Sequence, residues 1–163
     1  MGLDHARTVP PAATPPGGKH LYVSHLLVMR EAPAWRCLPD NARRVLDRLE
    51  VEHLRRRGRQ NGQLLCPYGD FQEWGLRRAS VRLAIEQAAA LGFLEVTRRG
   101  FKAVPSLYRL TYVRSLNDKP PPTDEWRAFH TIADAKRALT RVEAELDKER
   151  ELRKARKAIS PRA

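Results

Sequence analysis

The sequence predicts an α+β protein, mostly α, in which a run of helices is closed by a small pair of strands. Apolar residues recur at helical spacing after Pro39 and again after Gly75, and alternation of apolar and polar residues takes over from Phe93 onward. Proline-rich runs, Pro10 to Gly18 and Pro120 to Pro122, set this block apart from what flanks it. At 163 residues the chain holds one ordinary domain plus appendages. Hydrophobic residues at 42% against charged residues at 31% suit a packed core under a well-solvated surface.

Residues 1–20 are expected to be a disordered leader, because Pro-Pro-Ala-Ala-Thr-Pro-Pro-Gly-Gly offers too few backbone donors and too little apolar surface to fold. From Leu21 to Met29 apolar residues are frequent, and Leu26, Leu27 and Trp35 are expected on the core, with helix and strand equally open. After Pro39 the spacing of Ala42, Val45, Leu46 and Leu49 predicts a helix to about Arg56, with Arg43, Arg44, Asp47 and Arg48 on the opposite face. Gly58 and Asn61-Gly62 supply a stop and a turn, and Arg55, Arg56, Arg57 and Arg59 gather at the end of the helix, where its dipole favours cations.

Gln63 to Cys66 reads as a short strand ended by Pro67, and Tyr68 to Trp74 as one or two helical turns with Phe71 and Trp74 on one face. Gly75 breaks the helix and Leu76 plugs the bend. A second helix runs from Arg77 or Arg78 to Leu91, burying Val81, Ala84, Ile85, Ala88 and Leu91, with Gly92 as its C-cap. Phe93 to Thr97 and Ser106 to Val113 are strands, and Arg98-Arg99-Gly100 begins the turn between them. Short helix, Gly-Leu turn, amphipathic helix, strand, basic loop, strand is the order of a winged helix-turn-helix, which places that domain in residues 21–114.

Residues 115–130 form a proline-rich linker ending in Trp126 and Phe129, two apolar anchors expected to pack on the domain. Thr131 and Asp134 have capping-box spacing, so a C-terminal helix, residues 131–158, is expected to run from Ile132. Ile132, Ala135, Leu139, Val142 and Leu146 form a heptad-like seam that can either close a homodimer or pack back on the domain. The helix ends in a basic stretch with Arg150, Arg153, Lys154, Arg156 and Lys157.

Charge points to the class of partner. The net charge is +12 and the isoelectric point about 10.5, which favours a polyanion. The surplus is +2 in residues 1–37, +7 in residues 38–114 and +3 in residues 115–163, so most of it sits on the predicted domain. The outward residues of the second helix, Arg77, Arg78, Ser80, Arg82 and Gln87, are types that hydrogen-bond phosphates or base edges. Arg98, Arg99 and Lys102 would lie on the wing, within reach of the DNA backbone. The expected partner is double-stranded DNA.

Other classes are poorly supported. Cys37 and Cys66 are far apart without Cys-x-x-Cys spacing, which suits two reduced thiols. His5, His20, His25, His53 and His130 are scattered, with no metal spacing, phosphate loop or nucleophile elbow, so no catalytic, cofactor or metal residues are assigned and no enzymatic activity is expected. The prolines near the N-terminus interrupt any secretory signal, and no stretch has the length and apolarity of a membrane span, which leads to the expectation of a cytoplasmic, nucleoid-associated protein.

Residues 33–113 resemble the winged helix-turn-helix domains of bacterial regulators and plasmid replication initiators, chiefly in Gly75-Leu76-Arg77-Arg78-Ala79-Ser80-Val81 and Ala90-Leu91-Gly92-Phe93-Leu94-Glu95-Val96-Thr97. The longer stretch from about Tyr22 to Arg137 is similar to a poorly characterised group of helix-turn-helix proteins common in alphaproteobacterial genomes. In the wider superfamily a Ser or Thr often stands where this chain has Arg77, and an Arg where it has Leu83, so the base contacts need not match. The resemblance implies a transcriptional regulator reading the major groove. A plasmid or phage replication-initiation or maintenance protein, and a winged-helix protein-interaction module, are the alternatives.

Overall fold

A computed structural model describes residues 21–101, 103–113 and 121–159; the leader and the first part of the linker lie outside them. The described chain is α+β and mostly helical. In order it forms α1 (Leu27–Glu31), α2 (Pro33–Arg36), α3 (Asp40–Arg55), β1 (Leu64–Leu65), α4 (Tyr68–Glu73), α5 (Arg78–Ala90), β2 (Leu94–Arg98), β3 (Leu107–Leu110), a 3-10 turn (Glu125–Ala128) and α6 (Ile132–Ile159). The three strands make one antiparallel sheet in the order β1-β3-β2.

The core lies between α3, α5 and the sheet. Ala42, Val45, Leu46 and Leu49 of α3 meet Val81, Ala84, Ile85 and Ala88 of α5, and Leu64, Phe93, Leu94, Tyr108 and Leu110 close the other side. β3 pairs Leu110 with Leu94 and Tyr108 with Val96 on one flank, and Tyr108 with Leu64 on the other. Asn61 extends this ladder: its side-chain amide donates to the Leu110 carbonyl and its side-chain oxygen accepts from the Leu110 amide, each at 2.8 Å. The Asn61-Gly62 turn expected from sequence is thus stitched to the strand it faces.

Three details differ from the sequence reading. The segment before Pro39 is two short helices, and Met29 takes the buried position expected of Leu27, which is 68% exposed. Arg48 is not on a solvent face. α3 is covered by the sheet and by α4 together, so its buried arc widens to include Arg48, Glu52 and His53. Arg48 Nη2 reaches Asp70 of α4 at 2.5 Å and its Nη1 reaches Glu52 at 3.3 Å, while Arg56 and Arg55 approach Glu52 from outside. Arg43 is also drawn in: it donates to the carbonyls of Trp35 at 2.8 Å and Leu38 at 3.1 Å, at the exit of α2.

The N-terminal strap is held by an aromatic cluster. The His25 ring stands edge-on to Trp35 and Tyr112, and Phe93 lies against both of those rings. His25 Nε2 lies 2.8 Å from Glu50 Oε1, the same oxygen that accepts from the Tyr112 hydroxyl. Burial, reinforced by Glu50, pushes the Tyr112 phenol well above its ordinary value, and burial with the Glu50 charge raises Asp47 as well.

α6 runs back over the domain. Thr131 Oγ1 accepts from the Asp134 amide at 3.1 Å and Asp134 Oδ2 accepts from the Thr131 amide at 3.0 Å, a reciprocal capping box. Trp126 is buried and Phe129 packs at the core's edge. Along the seam Ala135 and Leu146 are buried, with Ile132, Leu139 and Val142 half-buried, so in this structure the seam lies against its own domain. No helix among the described residues is long and apolar enough to cross a membrane.

Cys66 is fully buried between β1 and α4, and burial pushes its thiol up to about 12. It is therefore expected to resist a thiol reagent at neutral pH until the protein unfolds. Peptide mass mapping after alkylation checks this: modification of Cys66 in the native protein at the rate of a free thiol would contradict its burial.

Candidate nucleic-acid interface

The candidate face is built from the open end of α5, the start of α4 and the β2–β3 hairpin. Gly75 at φ +90° turns the chain between the two helices. An alanine Cβ at this position would stand 2.7 Å from Arg44 Nη1, so an α3 guanidinium lies directly over the turn. α5 starts at Arg77, which acts as N-cap without a side-chain cap bond, and Arg77, Arg78 and Ala79 are exposed while Ser80 is half-buried. Arg78 looks into an open cleft of about 420 Å³ shared with Tyr68 of α4 and with Gly100, Val104 and Ser106 of the hairpin.

Tyr68 sits under this face. Burial raises its phenol, and Arg82, Glu86, Arg99 and Arg78 all lie close enough to act on it. Arg78, Arg82 and Arg99 thus all lie near Tyr68. At the base of the hairpin Arg98 is exposed, with Nη2 3.4 Å from the Pro105 carbonyl. Lys102, also assigned to the wing, lies outside the described residues. The hairpin is tight: Phe101 and Val104 exchange two backbone hydrogen bonds of 3.0 Å, and both side chains are exposed. Arg57 and Arg59, beyond α3, are exposed too.

The other sequence-assigned residues are engaged. Arg99 forks onto Glu86 of α5 with bonds of 2.6 and 3.2 Å, and this hydrogen bonding pushes its guanidinium further above its ordinary value. Arg82 pairs with Glu149 of α6, whose carboxyl is held below the usual range chiefly by that hydrogen bond. Gln87 is not outward: it is buried under α6 and donates to Glu143 at 3.0 Å. The reason is the course of α6. Gln87 meets Glu143 and Arg82 meets Glu149, so α6 lies antiparallel along α5 and covers it from Arg82 to Gln87.

Sequence reasoning missed four residues that shape this face: Arg44, Tyr68, Glu143 and Glu149. Glu86, an acid on the same helix, holds Arg99. Among the described residues no group of three or more His, Cys, Asp or Glu side chains is placed to hold a metal ion. Comparison with protein-family models, curated proteins and solved structures finds no match for the chain.

Proposed function

We propose that the chain is a DNA-binding protein of the winged helix-turn-helix class, acting as a transcriptional regulator rather than an enzyme, with α5 as the reading helix and the β2–β3 hairpin as the wing. One observation carries this reading. Arg77 and Arg78 stand exposed at the uncovered end of a helix that follows a glycine turn, and Arg78 borders a cleft that it shares with the β2–β3 hairpin. Helix dipole and side-chain cations act together there, since the first amides of α5 point outward without a cap. The sheet order β1-β3-β2, with β1 between α3 and α4, supports the same reading, because it leaves β2 and β3 as a hairpin beside α5.

The test is fluorescence anisotropy of the full chain on a labelled random-sequence duplex across a salt series. Affinity should fall linearly on logarithmic axes. Replacing Arg77 and Arg78 together by alanine should reduce the slope by about 0.9 for each phosphate that the protein no longer neutralises. An unchanged slope would remove this end of α5 from the interface. The protein-interaction reading is favoured by a different observation, the seating of α6 on the outer face of α5. Failure of the wild type to bind any duplex at low salt would raise it above DNA binding.

A further inference from the structure

We propose that α6 is a self-inhibitory cover for α5, a helix whose acidic stretch from Glu143 to Glu151 occupies the nucleic-acid face in the free protein and is displaced when duplex DNA binds. The inference rests on reading α5 as the DNA-contacting helix. Geometry makes the two occupants exclusive. An α-helix with its side chains is about 10–12 Å across and fills a major groove about 12 Å wide, whereas two packed helices, with axes some 8–10 Å apart, span roughly 20 Å. α5 cannot enter a groove to its full length while α6 lies along it.

The contacts that hold the cover are those DNA would replace. Glu149 takes Arg82, and Glu143 takes the Gln87 amide, so two carboxylates stand where phosphate oxygens or base acceptors would otherwise be bound. Glu145 and Glu149 also border a small cleft with Arg82, Glu86 and Arg99, which brings the wing arginine under the same acidic stretch. The cover is lightly fastened. Of the 28 residues of α6 only Ala135 and Leu146 are buried, and the Arg82–Glu149 pair is exposed to solvent and salt. Ala135 lies near the start of the helix and belongs to the same buried core as Trp126, so release of the stretch from Val142 onward leaves that anchor in place.

The experiment compares the full-length wild type with Glu143→Ala plus Glu149→Ala, and with Asp147→Ala plus Glu151→Ala. The second pair removes the same charge from carboxylates that engage only Arg150 and Lys154 within α6. Each protein is titrated with a labelled random-sequence duplex, and amide hydrogen exchange over residues 139–149 is followed with and without it. The uncovered variant is expected to bind about tenfold tighter than wild type, toward the low end of couplings between linked equilibria. The control should change affinity much less. Wild-type residues 139–149 should lose protection when the duplex is added. Equal gains in both variants would reduce the effect to net charge and overturn the cover, as would full protection of α6 in the DNA complex. If the wild type binds duplex and the uncovered variant binds no better, the cover fails and the DNA reading stands. If none of the three binds at low salt, both fail.

Discussion

Arg48→Ala should cost about 3 kcal/mol of folding stability and lower the melting temperature by roughly 10–20 °C, among the largest effects of any single polar substitution in the chain. The side chain is 5% exposed and holds two acids, Glu52 on its own helix and Asp70 on α4. Truncation removes the buried cation but leaves the Glu52 carboxylate, itself 9% exposed, facing only Arg55 and Arg56, which approach from solvent. An uncompensated buried charge is what makes such a deletion expensive, rather than the net worth of the pair. Arg48→Met combined with Glu52→Met should recover much of the loss, since an apolar pair of similar length needs no partner. Urea unfolding followed by circular dichroism measures both. A loss below about 1 kcal/mol for Arg48→Ala would show that water reaches the cluster. The cluster joins α3 to α4, so its rupture should also loosen the turn that presents α5.

Gly92→Ala should be nearly as damaging. Gly92 follows α5 at φ +78°, a conformation that costs a residue with a Cβ about 1–2 kcal/mol. The added Cβ would also stand 2.5 Å from the Trp126 amide nitrogen and 2.6 Å from the Glu125 carbonyl carbon. Both are backbone atoms that cannot swing aside. The chain at 125–129 must lift away, withdrawing an indole that is 2% exposed, and the combined cost is about 3 kcal/mol. Thermal unfolding gives the size of the effect, and the indole N–H resonance of Trp126 gives its cause. A loss near 1 kcal/mol with that resonance unmoved would mean strain alone, and a seat for Trp126 elsewhere.

Much of this arrangement was legible in the residues. The spacing of Ala42, Val45, Leu46 and Leu49 located α3, and Gly75 and Gly92 bounded α5, because helical periodicity and positive-φ glycines are local signals. The capping box at Thr131 and Asp134 was local in the same sense. What failed needed a neighbour from elsewhere in the chain. Arg48 and Arg43 look like solvent-face cations until Asp70 and the carbonyls of α2 are brought to them. Leu27 and Met29 cannot be ranked without knowing where the strap bends. At the candidate site the exposure of Arg77 and Arg78 was readable, whereas the burial of Gln87 was not, since heptad spacing alone left α6 free to seek a second copy or its own domain.

The seat of Trp126 beside Gly92, and the approach of Cys37 to the Ile132 carbonyl 95 positions later, also have a bearing on synthesis. By the time Val113 has been made, α3, α4, α5 and the whole sheet are present and able to fold on mostly nearby contacts. The flank formed by α2, Gly92 and Gln87 then waits for residues 125–149, and a nascent chain in that interval exposes apolar surface of the kind that chaperones recognise. It also carries α5 bare. The youngest folded form of the protein is thus its least covered one, until α6 has emerged and docked.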